Sequence, residues 1–103
     1  MIDLGRSVVL LLGCAHAGVV NTLDHVQHLT GEKPVSAVIG GLHLGSASEE
    51  RIQQTTARLR AAQLEILAPA HCTGWLATVR LWQAFPDLCR PASVGTFFEF
   101  KRD

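Results

Sequence analysis

Charge is scarce in this 103-residue sequence, and its two signs cancel. Charged residues make up 17% of the chain, and nine lysines and arginines balance nine aspartates and glutamates. Without a net positive field, the chain lacks the electrostatic footprint of proteins that bind nucleic acids or anionic membranes. Hydrophobic residues reach 48%, so the composition favours a folded chain over a disordered one.

Long apolar runs and paired cysteines are missing as well. No stretch reaches the roughly 18 apolar residues that span a bilayer, and residues 1–6 lack the basic and apolar blocks of a signal peptide. The three cysteines, Cys14, Cys72 and Cys89, are odd in number and lack zinc-knuckle spacing. We therefore expect one domain over residues 1–103, located in the reducing cytoplasm, with no nucleic acid and no membrane as partner.

Short apolar runs at regular intervals predict the strands of a parallel sheet that is buried on both faces. They cover residues 7–12, 35–39 and 65–68, and residues 93–100 add an aromatic-rich last strand. Between them, apolar residues at helical spacing predict helices over residues 17–29, 47–62 and 73–85. The resulting order, β-α-β-α-β-α-β, is typical of an α/β fold with right-handed crossovers.

Capping residues support the second and third predicted helices. Ser46, with Glu49 three residues later, forms a capping-box pattern at the start of the second helix. Thr73 is predicted to be the N-cap of the third helix, although the amides at Thr73 and Gly74 could instead hold a phosphate or carboxylate.

Three histidines, His16, His43 and His71, follow the predicted strands at equivalent positions. Each comes just after an apolar run and just before a glycine, in the segments GCAHAG, GGLHLG and PAHCTG. Loops at the carboxyl ends of parallel strands open on one edge of the sheet, so three imidazoles can converge there on a metal ion. We expect a divalent transition metal, zinc first, with manganese or iron as alternatives.

Three neutral imidazoles leave an open coordination position, where a water molecule becomes a nucleophile near neutral pH. This pattern favours hydrolytic chemistry. Taken singly, each histidine is better explained as a loop residue bonded to nearby backbone, and only the matched positions of all three favour a shared metal site. Cys14 and Cys72 could join a mixed site, but cysteine often packs as a small buried hydrophobe.

Other conspicuous residues have simpler interpretations. His25 and His28 lie three apart within the first predicted helix and are interpreted as surface or interface residues. Trp75 and Trp82, seven apart, are interpreted as filling the core or an interface.

The segments GCAHAGVVN, VIGGLHL and PAHCTG resemble later motifs of the metallo-β-lactamase superfamily, within its dihydropterin synthase-like group of methanopterin biosynthesis. The resemblance implies an αββα sandwich that binds two metals with ligands from both halves of a longer chain. It also implies that His16 and His71 are metal ligands. His43 falls in a loop that carries a bridging aspartate in many members, yet residues 40–45 contain no acidic residue.

The first signature of the superfamily, His-x-His-x-Asp-His, is absent from the sequence, so the chain resembles the C-terminal half of the fold. One hypothesis is a metal-dependent hydrolase-like protein that is incomplete or inactive without an N-terminal half. The alternative is a non-catalytic metal-binding or interaction module that oligomerises through its sheet. The expected partners are a second copy or a complementary N-terminal half-domain chain, together with a small-molecule substrate if the site is active.

Overall fold

The computed structural model describes residues 1–14, 18–42, 44, 47–70, 73–91 and 100. The three predicted helices and the first three predicted strands are present, whereas the predicted strand over residues 93–100 lies outside the described residues except for its last position. A two-residue strand at the N-terminus was not predicted. In chain order the elements are β1 (Ile2–Asp3), β2 (Val8–Cys14), α1 (Val19–Leu29), β3 (Val35–Gly41), α2 (Glu49–Ala61), β4 (Ile66–Pro69) and α3 (Trp75–Ala84).

The four strands form one sheet in the order β1-β2-β3-β4. The short β1 is antiparallel to β2, and β2, β3 and β4 are parallel. Because the parallel strands follow their order in the chain, successive right-handed crossovers place their helices on the same face of the sheet. The described part of the chain is therefore an α/β layer with helices on one side.

The main core lies between the sheet and these helices. The buried residues of α1 are Val19, Leu23 and Val26, at intervals of four and three, so they form one stripe toward the sheet. Ile52 and Leu59 of α2 join the same cluster, and further members come from the strands and α3: Val8, Leu10, Val38, Leu67, Ala77 and Leu81.

The start of α2 differs from the prediction. Ser48 is its N-cap, and the Ser48 hydroxyl accepts a hydrogen bond from the backbone N–H of Arg51 at 3.2 Å. The predicted cap, Ser46, lies outside the described residues. With Ser48 as the cap, Glu49 and Glu50 fall in the first turn, where acidic side chains favour the positive end of the helix.

The other face of the sheet is apolar and only partly covered. Val9 and Ala37 are buried there, and Ile39, Ile66 and Phe100 pack against them. Leu11 keeps 51% of its surface exposed, and its strand neighbour is Ile39. This second face therefore offers apolar surface on which the described helices do not pack.

No helix within the described ranges has the length and apolar character needed to cross a membrane.

Candidate metal centre

Three strand ends meet at one edge of the parallel sheet. Cys14, the last residue of β2, is in register with Gly41 of β3, and Gly40 is in register with Pro69 at the end of β4. The backbone N–H of Ala70 donates to the carbonyl of Gly40 at 2.7 Å, so β4 stays paired just beyond its last residue. The three loops that follow β2, β3 and β4 therefore begin next to one another at the same edge of the sheet.

The predicted ligands belong to these three loops by sequence. His16, His43 and His71 each come two residues after the strand ends at Cys14, Gly41 and Pro69. All three histidines, like Cys72, lie outside the described residues. The described residues thus show the common edge from which the loops leave, and the ligand set itself stays a prediction.

Within the part of the chain that the structure describes, no three His, Cys, Asp or Glu residues are grouped so that they could hold a metal ion. His25 and His28 are both exposed on α1, which agrees with their interpretation as surface residues.

Gly40 lets β2 and β3 approach closely at this edge. Its φ angle is +126°, a conformation that side-chain-bearing residues rarely adopt. A Cβ built on Gly40 would lie 1.9 Å from the carbonyl oxygen of Leu12. Both the backbone conformation and the space available therefore require glycine at this position.

Thr73 has a different role from the one predicted. Gly74, not Thr73, is the N-cap of α3. The Thr73 hydroxyl instead accepts a hydrogen bond from the backbone N–H of Leu42 at 3.1 Å, and both residues are fully buried. This bond joins the segment after β3 to the segment after β4, and its two residues lie within two positions of the predicted ligands His43 and His71 in the sequence. Sequence reasoning missed it because a threonine before a helix is most simply interpreted as a cap.

Helices α1 and α3 begin in the same way. Their N-cap residues, Gly18 and Gly74, have φ angles of +92° and +91°, and neither helix has a side-chain cap. The hydroxyls of Thr22 and Thr78 donate to the carbonyls of Gly18 and Gly74 at 2.9 and 2.6 Å. The shared G-x-x-x-T spacing is the sequence signal for these matched helix starts. It supports the interpretation of the first and third loops as equivalent.

The tryptophans of α3 lie at the surface. Trp75 is 84% exposed and Trp82 is 38% exposed, so neither tryptophan fills the core of this chain. Their alternative role in an interface stays a prediction. The stripe of α3 that faces the sheet consists of Ala77 and Leu81.

Cys89, which follows α3 in the sequence, carries a buried thiol. It is 2% exposed, and its Sγ donates to the carbonyl of Leu81 at 3.5 Å. Burial raises the pKa of Cys89 from 9.0 to about 11, and the positive charge of Arg90 lowers it in part. The thiol is therefore neutral near pH 7 and acts as a packing group.

We expect this buried thiol to make stability fall at high pH. The folded chain keeps Cys89 protonated up to about pH 11, whereas the thiol of the unfolded chain ionises above about pH 9. The contribution is constant below pH 9, and about 2 to 3 kcal/mol is lost between pH 9 and 11. Urea unfolding of the reduced wild type and Cys89→Ala from pH 8 to 11 measures this change. The two stability curves should converge as the pH rises, and parallel curves would contradict the prediction.

Comparison with solved structures gives the class of the fold. The chain superposes on a crystal structure of a metal-dependent hydrolase of the β-lactamase superfamily with a TM-score of 0.85 and 26% sequence identity. The match covers 94% of this chain and 38% of the hydrolase chain. The sheet with its helices on one face matches half of a metallo-β-lactamase fold.

Sequence comparison leads to the group within this class. One relative is 7,8-dihydropterin-6-methyl-4-(β-D-ribofuranosyl)-aminobenzene-5'-phosphate synthase of Methanocaldococcus jannaschii, with 30% identity over 95 residues. The aligned residues cover 92% of this chain and 32% of the synthase. This chain is also 29% identical over 75 residues to an uncharacterized protein of the same organism, over 73% of this chain and 28% of that protein. No protein-family model matches the chain.

These matches confirm the resemblance to the metallo-β-lactamase superfamily and to its dihydropterin synthase-like group. The chain has the hydrolase-like fold of that superfamily. It spans about a third of the length of the curated relatives that it matches.

Proposed function

We propose that this chain supplies His16, His43 and His71 to the metal site of a metal-dependent hydrolase of the metallo-β-lactamase superfamily. The observation that supports the proposal is the register of the three strand ends, because the segments that carry the three histidines all begin at that one edge of the sheet. The similarity to a metal-dependent hydrolase over 94% of the chain supports the same chemistry.

The donor set fits a divalent transition metal, and zinc is our first candidate because imidazole is among its preferred ligands. When bound, such an ion supplies Lewis acidity for hydrolysis. The described residues hold the loops in place: Gly40 allows two strands to approach closely, and the bond from Leu42 to Thr73 ties two loops together. Both features fix the backbone at the sheet edge from which the histidine-bearing loops leave.

The proposed site is incomplete in this sequence. Three neutral imidazoles leave the +2 charge of the ion uncompensated, and residues 40–45 contain no carboxylate. The remaining ligands of a two-metal site would come from residues outside these 103, supplied by a complementary half-domain. We therefore expect weak metal binding and little or no hydrolysis by this chain alone.

Calorimetry with zinc and with manganese tests the ligand assignment. We expect the wild type to bind one of these metals, and His71→Ala to bind it at least tenfold more weakly because a ligand is lost. His28→Ala, which removes an exposed histidine of α1, serves as the matched control and should bind like the wild type. Equal affinities for His71→Ala and the wild type would remove His71 from the site. Rapid hydrolysis of phosphodiester, lactam or thioester substrates by the isolated chain would contradict the proposal that its metal site is incomplete.

A second candidate function, a non-catalytic interaction module, is favoured by the apolar sheet face that carries Leu11. Exposed apolar surface of this kind is typical of a protein interface. We propose that, in the isolated chain, a second copy covers this face in place of the complementary half-domain. A homodimer that neither binds metal through His71 nor hydrolyses substrate would favour the module over the enzyme.

Light scattering at micromolar concentration tests this association. We expect a dimer or larger oligomer for the wild type and a shift toward monomer for Leu11→Lys, because a charge on the apolar face opposes its burial. Leu29→Lys is the control, since Leu29 is 63% exposed on α1, on the helical side of the sheet. A monodisperse monomeric wild type would contradict the proposal.

A further inference from the structure

Helix α3 carries a second apolar side that points away from the sheet. Trp75, Val79 and Trp82 follow one another at intervals of four and three, so they form one stripe along the helix. Val79 is two positions from each of the buried residues Ala77 and Leu81, which places it about 200° around the helix from them. The stripe therefore lies on the solvent side of α3, opposite the side that packs on the sheet.

Leu76 extends this stripe, because it lies three positions before Val79. We call Trp75, Leu76, Val79 and Trp82 the outer face of α3. Trp75 is 84% exposed, Leu76 53% and Trp82 38%, whereas Val79 is half-buried. Tryptophan is a residue that folded proteins mostly bury, and it is enriched at the centres of protein interfaces. Two exposed tryptophans on one side of one helix therefore indicate a surface that a partner covers.

The outer face of α3 is separate from the apolar sheet face that carries Leu11. Ala77 and Leu81 of α3 belong to the core between the sheet and the helices, whereas Val9 and Ala37 belong to the cluster on the other side of the sheet. The sheet thus lies between the two apolar surfaces. A half-domain packed on the sheet face leaves the outer face of α3 open, so this surface needs an occupant of its own.

Charge does not oppose the approach of a second copy to this face. The chain has no net charge, so two copies do not repel one another at long range. Arg80 is the single charged residue of α3, and it forms an ion pair with Glu49 of α2. Both side chains of this pair are partly exposed, as is typical of the polar rim of an interface.

The area of the outer face also fits a pair of copies. Its three exposed side chains present about 400 Å² of apolar surface. Two copies that meet through this face bury twice that apolar area. Because protein interfaces are about 60% apolar, this corresponds to about 1,300 Å² in total. Stable interfaces bury about 1,200 to 2,000 Å², so the face is large enough for a dimer.

We propose that the outer face of α3 joins two copies of this chain in a symmetric dimer. The tryptophans are seven residues apart, about 10.5 Å along the helix. Two antiparallel helices therefore bring Trp75 of one copy to the partner's Trp82, and the reverse, with Val79 near the two-fold axis. Aromatic pairs of this kind stabilise an interface beyond the area that they bury. The proposal depends neither on the metal site nor on hydrolysis.

Tryptophan fluorescence tests this dimer directly. Trp75 and Trp82 are the two tryptophans of the sequence, and tyrosine is absent from it, so the emission comes from the outer face of α3. We expect the emission to shift to shorter wavelength as the protein concentration rises from about 0.1 to 100 μM, because association removes both indoles from water. The concentration dependence gives the dissociation constant of the dimer.

Leu76→Lys keeps both tryptophans and places a charge on the outer face. It should raise the dissociation constant at least about tenfold, because each symmetric dimer contains the substitution twice. Leu29→Lys is the matched control, since Leu29 is 63% exposed on α1, and it should associate like the wild type. Trp75→Lys, with Trp82 as the remaining reporter, should raise the dissociation constant at least about 100-fold because an aromatic anchor is lost.

Leu11→Lys separates this interface from the sheet face, and it should retain the concentration-dependent shift. Emission that does not change with protein concentration, or equal dissociation constants for Leu76→Lys and Leu29→Lys, would overturn the proposal. A shift that occurs only when phosphatidylcholine vesicles are added would also overturn it, because the outer face would then bind a membrane. The fluorescence test uses no metal, so it decides this inference even if the metal assignment fails.

Discussion

Replacement of Gly40 by alanine should lower the free energy of unfolding by more than about 3 kcal/mol. The new Cβ would lie 1.9 Å from the Leu12 carbonyl oxygen and 2.8 Å from its carbonyl carbon, and both are backbone atoms that cannot rotate away. The φ angle of +126° adds strain in the same variant. To relieve the clash, β2 and β3 must separate at the edge that carries the candidate metal centre. Urea unfolding monitored by circular dichroism measures the loss.

Gly13→Ala is the matched control for this prediction. Gly13 lies on β2 at the same edge, but its φ angle is outside the left-handed region and a Cβ there meets no atom within 4 Å. We expect its stability to stay within about 0.5 kcal/mol of the wild type. If both variants were equally stable, the close approach at Gly40 would not be needed for the fold.

Thr73→Val should cost about 1 to 3 kcal/mol of stability, although valine has nearly the same shape as threonine. The variant leaves the N–H of Leu42 buried without an acceptor, because the Thr73 hydroxyl is its partner. We also expect faster hydrogen exchange at the Leu42 amide, since the loops after β3 and β4 are no longer tied. Chemical unfolding and native-state exchange measure the two effects.

Thr73→Ser keeps the hydroxyl and removes only a methyl group. It should retain slow exchange at the Leu42 amide while losing about 1 kcal/mol of packing. Fast exchange in the serine variant, or slow exchange in the valine variant, would show that the hydroxyl does not hold the loops together.

Periodicity was sufficient to predict the helices and the parallel strands. The stripe of Val19, Leu23 and Val26 faces the core as its spacing indicates, and α1 ends at Leu29 as predicted. In contrast, β1 has only two residues, both exposed, so it carries no alternation that could be recognised. The start of α2 was misplaced because Ser46 and Ser48 are both good caps, and only the backbone geometry selects Ser48.

The candidate site was only partly predictable, for a physical reason. Its three histidines stand out because they repeat one local pattern, and local patterns are visible in sequence. The bond between Leu42 and Thr73 joins residues that are 31 apart in the sequence, so no local pattern reveals it. Tertiary contacts of this kind become visible only when the strands are in register.

The in-order sheet also bears on how the chain acquires its structure. Val9 pairs with Ala37 and Ala37 with Ile66, so each parallel pairing closes a loop of nearly the same length, 28 and then 29 residues. The length-dependent entropy of each closure is about 3 kcal/mol. Each strand can therefore pair with the strand that formed just before it, and each pairing has a similar entropic cost. Stepwise growth of this kind suits a polypeptide that emerges gradually during synthesis, since β2 and β3 can pair before β4 is available.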